Sequence, residues 1–408
     1  MNHIIGSGLS AFSFCYFSGK KSIIYEKEDY FGGRIQSQKY SKNFIEGGAQ
    51  FYSKEDPNIY GLIKEINLEK NETRVSLSKF FAKRDSEFIP IKNASSSQLT
   101  PVEQEQLRLF YDKILETLKI VDTAPLDLFF TPFNKWYIKN IGKETEWIIN
   151  GMMRAITFTD PKNQSALYGI IVCGTFFSDC YSINGGLTQL NKTLINLSKP
   201  VIKLNQKVTH INFVKNYAKS IEIDEKVVPI EKNNLVSTIP SNELSKIVPD
   251  SELSKYLKKI TYNGCAVLIL ETNKKLLNHD SGILYTNKRD KVSVMIDESK
   301  YYNFKSKENI LGLLFPYNNN RPTEKYLIKK AIEKIEEITD QDFRILHKNI
   351  FYWDYGLPEF NKRNIQLQQK INKSIENYAN FSICGDFMGF PSLDACVESA
   401  RNAANKLK

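Results

Sequence analysis

The chain opens on a glycine turn between two short apolar strands, and that turn restricts the fold more than any other stretch. Asn2-His3-Ile4-Ile5 runs into Gly6-Ser7-Gly8-Leu9-Ser10-Ala11, and a helical run, Phe12-Ser13-Phe14-Cys15-Tyr16-Phe17, follows. Ser22-Ile23-Ile24-Tyr25 then ends on Glu26, twenty positions after Gly6. Strand, G-x-G-x-x-A turn, helix, strand and terminal acid in this register form the βαβ fingerprint of dinucleotide binding. Gly6 allows the tight turn, Gly8 lets a pyrophosphate approach the backbone, and small Ala11 permits close helix–strand contact. The helix start at Leu9 and Ser10 offers free N–H groups and a partial positive charge to phosphate. Glu26, followed by Lys27, suits the two hydroxyls of a ribose and repels a 2′-phosphate.

Two further glycine segments follow. Phe31-Gly32-Gly33-Arg34 combines close backbone approach with a guanidinium fork, the pairing a phosphate wants. Phe44-Ile45-Glu46-Gly47-Gly48-Ala49-Gln50-Phe51 is the second. Together with the opening turn, these segments resemble the superfamily of flavin-containing amine oxidases, protoporphyrinogen oxidases and phytoene desaturases. The resemblance implies that FAD is the dinucleotide. It implies that Gly32, Gly33 and Arg34 contact the diphosphate, and that Gly48, Ala49, Gln50 and Phe51 lie near the flavin ring.

The C-terminal end carries the same resemblance. Phe381-Ser382-Ile383-Cys384-Gly385-Asp386 is a strand ending in Gly-Asp, followed by Pro391-Ser392-Leu393-Asp394-Ala395 and a helix bearing Val397, Ala400 and Ala404. By residue-for-residue match, Gly385 and Asp386 take the ribityl or diphosphate role, and Ser392 and Leu393 lie at a helix start near the flavin pyrimidine. In the middle, Ser182 to Leu190 resembles the segment that returns the chain to the FAD domain. Val208 matches a residue beside the adenine, and Asn234 to Pro240 matches the strand before the second departure. The resemblance is thin through residues 76–180 and 260–345.

A chain of 408 residues is too long for one ordinary core. The expected fold class is α/β (α+β overall), a Rossmann-like FAD-binding domain with an interleaved substrate domain of mixed sheet and helices. The expected FAD-binding domain is discontinuous, over 1–75, 182–240 and 350–408; residues 76–181 and 241–349 form the substrate-binding domain. Within the first excursion, Thr100-Pro101 with Glu103 reads as a helix start, and Pro125, Pro132 and Pro161 should each break a helix. The second excursion reads as an antiparallel-rich sheet, with strand-like runs 265–270, 282–285, 292–296 and 310–315, followed by a helix from Thr323 to about Ile338.

The charge balance, 56 Lys and Arg against 46 Asp and Glu, gives a net +10. The lysines are dispersed, with no basic tract interleaved with aromatics, so no nucleic-acid partner is expected. Peripheral contact with an anionic membrane stays open. The six cysteines form no C-x-x-C pair and sit in apolar surroundings, which points to reduced thiols and a cytoplasmic setting. No secretory signal and no transmembrane run is evident. His3, His210, His279 and His347 stand apart without metal-ligand spacing, so no metal is expected.

The chemistry implied is transfer of a hydride from a substrate C–H (an amine, a porphyrinogen-like compound or a polyene) to flavin N5, with oxygen or another acceptor reoxidising the cofactor. Many amine oxidases of the superfamily carry a lysine on a substrate-domain strand. Its counterpart here falls near Asn263-Gly264-Cys265-Ala266, where there is none; Lys258 and Lys259 precede the strand. Phe351 to Phe360 resembles instead a tryptophan-and-proline segment of protoporphyrinogen oxidases and desaturases. Tyr352, Trp353 and Tyr355 are the pocket candidates, with core packing as the bland alternative. No cysteine matches a covalent flavin link there, so FAD should be non-covalent. A flavoprotein isomerase or mutase using reduced FAD without net redox is the alternative function.

Overall fold

The computed structural model of the chain describes residues 1–40, 43–277, 281–287, 289–304, 309–318 and 320–408, and of residues 78 and 122 the backbone alone. The opening βαβ unit forms as its residues require. Asn2–Ile5 and Ser22–Tyr25 pair in parallel, joined by the helix Leu9–Ser18, whose C-cap Gly19 takes a φ of 60°. Three more parallel strands complete a five-stranded sheet in the order Val201–Lys203, Ser22–Tyr25, Asn2–Ile5, Asn234–Ser237, Phe381–Ile383. A parallel sheet must be covered on both faces. One cover is the helix pair Leu9–Ser18 and Leu393–Lys406, the latter burying Val397, Ala400 and Ala404. The other includes the helix Lys362–Glu376 and the meander Val208–Val214, Tyr217–Ile223, Lys226–Pro229.

A second sheet has seven strands, in the order Ile345–Pro358, Tyr262–Thr272, Ile310–Tyr317, Val294–Asp297, Gly282–Tyr285, Phe80–Arg84, Glu87–Pro90. All its pairings are antiparallel except Gly282–Tyr285 with Phe80–Lys83, which joins the two excursions edge to edge. Strand alternation gives it two apolar faces. One, bearing Cys265, Val267, Ile269, Leu284, Val294, Ile296 and Leu314, packs with the helices of the first excursion. The other, bearing Ala266, Leu268, Leu270, Ile283, Met295 and Leu313, is covered by the helix Glu324–Glu336. The strand Ile345–Pro358 runs through the expected domain boundary at 350 and stays in this sheet to Pro358.

Local signals act as the sequence suggests. Thr100 and Glu103 form a reciprocal capping box at the helix Pro101–Leu118. Pro125 and Pro132 each stand just before a helix, Leu126–Phe130 and Phe133–Asn140, and Pro161 opens a 3-10 turn. All six cysteines are free and buried. No described helix is long and apolar enough to cross a membrane, and no three metal-ligating side chains gather among the described residues. His279 lies outside the described residues.

Candidate functional site

The site begins where the central strand ends. Gly6 has a φ of 93°, and a Cβ there would meet Ile239 Cγ2 at 2.7 Å, so only glycine fits. Gly8 differs: a Cβ there would have nothing within 4 Å, which leaves its backbone facing open space at the start of the helix Leu9–Ser18. Ser7 O accepts from the Gly32 N–H at 2.9 Å, and a Cβ on Gly33 would lie 3.2 Å from Gly8 Cα. The Phe31–Arg34 loop is thereby laid across the first turn. Leu9, Ser10 and Ala11 are buried behind it.

Glu26 closes the second strand with its carboxylate turned to the same turn. Its Oε2 accepts from the Ser7 N–H at 2.9 Å and from Ser7 Oγ at 2.6 Å, while Oε1 accepts from the Glu28 N–H at 3.1 Å. Lys27 points away and lies 3.4 Å from Glu28. Val208 is buried at the start of the meander, beyond the edge strand.

Arg34 and Asp386 come together from opposite ends of the chain. The Arg34 guanidinium donates to Asp386 at 2.7 Å and to the carbonyls of Gly356 at 2.9 Å and Tyr355 at 3.2 Å. Gly385 turns the chain at the end of the edge strand, with a φ of 153°. Ser392 caps the helix Leu393–Lys406 by accepting from the Ala395 N–H, and Leu393 packs at its first turn. Asp394 reaches out of that helix to accept from the N–H groups of Asn58 at 2.7 Å and Ile59 at 2.8 Å, capping the helix Pro57–Glu65 from outside it.

The second glycine segment bridges this region to the seven-stranded sheet. A Cβ on Gly48 would fall 2.0 Å from Arg34 O, and the Ala49 N–H donates to that same carbonyl at 2.9 Å. Trp353 Nε1 donates to Gly47 O at 2.6 Å, and Phe351 stacks where a Gly47 side chain would stand. Gly48, Ala49, Gln50 and Phe51 remain half-exposed, yet Gln50 Nε2 is itself buried without a partner among the described residues. Tyr302 Oη donates to Gln50 O at 3.3 Å.

Of the three aromatic candidates, Trp353 alone meets this loop. It pairs with Cys265 in the sheet, and the same face carries buried Asn263, whose Nδ2 has no partner among the described residues. Alternation turns Tyr352 to the opposite face, where Arg321 lies 4.9 Å over its ring. Tyr355 packs edge-on to Tyr262 at 5.4 Å. Lys258 and Lys259 end a helix at the exposed surface.

Two buried carboxyls lie beside this region. Glu46, wholly buried, accepts from Ser37 Oγ and the Leu187 N–H, both at 2.7 Å. Burial pushes its carboxyl up to about 8, against the lowering by those two donors. Glu298, also wholly buried, has no hydrogen-bond partner on either oxygen among the described residues. Glu46 lies within the second glycine segment; Glu298, in Asp297-Glu298-Ser299-Lys300, reads as a polar helix start, which hides its burial.

A dinucleotide fits what these residues offer. An open glycine backbone meets a helix N-terminus, a partly exposed guanidinium stands beside them, and an orphaned amide donor is buried at the loop Gly48–Phe51. Comparison with known proteins bears on the same region. Residues 17–408 match the profile of the family described as flavin containing amine oxidoreductase. Sequence comparison with curated proteins gives no match. Among solved structures, one given the name of a protoporphyrinogen oxidase, from Exiguobacterium sp., superposes with a TM-score of 0.77 at 16% identity, covering 99% of this chain and 97% of that one. A fatty acid isomerase from P. acnes, producing CLA, gives 0.76 at 15% identity, with 99% and 97% covered. A reduced UDP-galactopyranose mutase gives 0.71 at 14% identity, with 99% and 94% covered.

Proposed function

Because the chain belongs to the flavin-containing amine oxidoreductases, whose cofactor is FAD, we propose that it takes a hydride from a substrate C–H in the manner of protoporphyrinogen oxidases and desaturases rather than of lysine-assisted amine oxidases. FAD, when bound, supplies the hydride acceptor. The observation that carries the choice is the strand Tyr262–Thr272. Its face toward the Gly47–Phe51 loop bears Asn263 and Cys265, and no lysine stands there. Proton removal therefore falls to another group or to the substrate's own acidity.

In this reading Gly6, Gly8 and the helix start hold the diphosphate with Gly32, Gly33 and Arg34, and Glu26 takes the ribose. Glu26 Oε2 takes two donors from Ser7 and Oε1 only one, from the Glu28 N–H, so Oε1 has the more room for a ribose hydroxyl. Asp386 serves the ribityl chain through the arm it shares with Arg34. Gly48 to Phe51, with Ser392 and Leu393, border the ring. Trp353 fixes that loop through Gly47 O and keeps water from one side of the pocket. Substrates are small molecules, and oxygen or another acceptor completes the cycle.

A flavoprotein isomerase or mutase without net redox is the second reading. It is favoured by neighbours of both kinds on this fold. One experiment separates an oxidase from the remaining possibilities: visible absorption of the purified protein, anaerobic photoreduction, then readmission of air. A flavin spectrum that bleaches and returns within seconds supports an oxidase. Slow return supports a desaturase, a dehydrogenase or the second reading. Absence of flavin after reconstitution with FAD would overturn both.

A further inference from the structure

The sequence scatters its lysines, but the fold gathers seven cations on one face. The helix Glu252–Lys258 and its C-cap residue carry Lys255, Lys258 and Lys259, all exposed. The helix Lys362–Glu376 packs beside it and carries Lys362, Arg363, Lys370 and Lys373, also exposed. Side chains three and four positions apart share a helix face, so each group forms a stripe. Lys370 Nζ lies 5.5 Å over the Tyr256 ring, which brings the two stripes side by side. They lie far apart in the chain, and no basic tract announces them.

Lysines on other helices are paired, as Lys113 is with Glu116 and Lys330 with Glu333. On this face Lys255 alone has an ion pair among the described residues, at 4.0 Å from Glu252. The acids next to the stripes are Asp250, Glu252, Glu359 and Glu376. Glu359 is held by Thr261 and Asn361 and attracts Arg363, while Glu376 attracts Lys406. Seven cations against these four acids leave the face positive. No large apolar side chain is exposed on either helix among the described residues. Such a face neither anchors in lipid tails nor builds a lasting apolar interface. It suits brief contact with an acidic surface, steered by charge.

The second helix adjoins the proposed cofactor site. Gln368 Nε2 donates to Gly389 O at 3.2 Å, in the turn that follows Asp386. The chain also runs from this helix into the strand Phe381–Ile383 and so to Gly385. Gln368 is buried on the side opposite the stripe, so about one helix diameter, about 10 Å, divides the cations from that turn. We propose that this face docks a soluble acidic carrier protein that takes electrons from the reduced flavin. This deepens the oxidoreductase reading by giving its electron acceptor a class, and rests on it for the flavin. Two carriers each accept one electron per cycle and one proton leaves to water, which balances the hydride taken from the substrate.

The probes are plastocyanin, an acidic one-electron carrier, and cytochrome c, a basic one, both strong oxidants. Calorimetric titration of the FAD-loaded protein at low salt is expected to show plastocyanin bound at least about tenfold more tightly than cytochrome c, and high salt should remove the difference. After anaerobic photoreduction, plastocyanin should likewise reoxidise the flavin at least about tenfold faster. Lys259→Glu, Lys362→Glu and Lys370→Glu together should erase both advantages. The flavin spectrum and reoxidation by uncharged benzoquinone should stay as in the wild type. Equal treatment of the two carriers, an advantage that survives the triple variant, or plastocyanin binding without reoxidation would each overturn the proposal. Binding to phosphatidylglycerol vesicles by the wild type and not the triple variant, with no preference for plastocyanin, would overturn it too and make the face a membrane contact. Normal reoxidation by benzoquinone in those cases would leave the oxidoreductase reading standing. A protein that takes up no FAD would overturn both.

Discussion

Arg34 and Asp386 are 352 positions apart in the chain and share a hydrogen bond of 2.7 Å. The same guanidinium nitrogen also reaches the carbonyls of Tyr355 and Gly356. Three segments thus meet at one cation: the Phe31–Arg34 loop, the end of the long strand Ile345–Pro358, and the Gly-Asp turn. Asp386→Asn should keep the shape and lose the charge. Because Arg34 is about a third exposed, the expected loss is modest, about 1–2 kcal/mol in FAD affinity. Arg34→Lys should cost at least as much, since an ammonium cannot reproduce the fork. Fluorimetric titration of the apoprotein with FAD would check both, and unchanged affinity in both variants would make the pair a structural clasp alone.

Glu26→Ala should lose about 2–3 kcal/mol of FAD affinity, because it removes a paired acceptor and strands the Ser7 N–H. Ser7→Ala should cost less, about 1 kcal/mol, since only the hydroxyl donor goes. Flavin occupancy after extensive dialysis is the measurement. Full retention in Glu26→Ala would remove this acid from the ribose site.

Trp353→Phe keeps the ring and loses the N–H that donates to Gly47 O. FAD should remain bound, while turnover should fall about tenfold as the Gly47–Phe51 loop loses its tether. Comparing the flavin spectrum with kcat in the variant would tell these apart. Undiminished turnover would leave Trp353 a packing residue.

Glu46 and Glu298 give the fold a pH dependence of definite sign. Burial raises both carboxyls from 4.5 to about 8, so between those values the folded chain holds protons the unfolded chain has lost. Stability should therefore fall as pH rises through that window, until both ionise near 8. Glu298→Gln should flatten the fall. Urea midpoints at several pH values would measure it, and a slope identical to wild type would mean Glu298 does not titrate there.

How much of this was legible in the chain depends on the range of each signal. The opening turn, the Gly32-Gly33-Arg34 loop and the Thr100-to-Glu103 capping box are local, with their physics spelled out within a few residues. How far the strand Ile345–Pro358 stays in the sheet was not legible. Whether Phe351 to Pro358 leaves the seven-stranded sheet is decided by its partner Tyr262–Thr272, some ninety positions earlier. Tyr352 and Trp353 look equivalent in sequence, and only the sheet's two faces separate them. Asp394 resembles an ordinary first-turn acid, yet its carboxylate caps a different helix. Burial of Glu298 is likewise a tertiary fact that no neighbouring residue announces.

The five-stranded sheet has a consequence for how the chain reaches its native state. Its central strand is Asn2–Ile5 and its edge strand is Phe381–Ile383, so the sheet cannot be completed until nearly the whole chain has been synthesised. The parallel pairing of Gly282–Tyr285 with Phe80–Lys83 imposes a similar wait on the other sheet. Topologies so dominated by distant pairings fold slowly and leave apolar strand edges waiting. Assembly on the ribosome would thus end with Phe381–Ile383 docking on Asn234–Ser237, and the half-made chain is the form most in need of a chaperone.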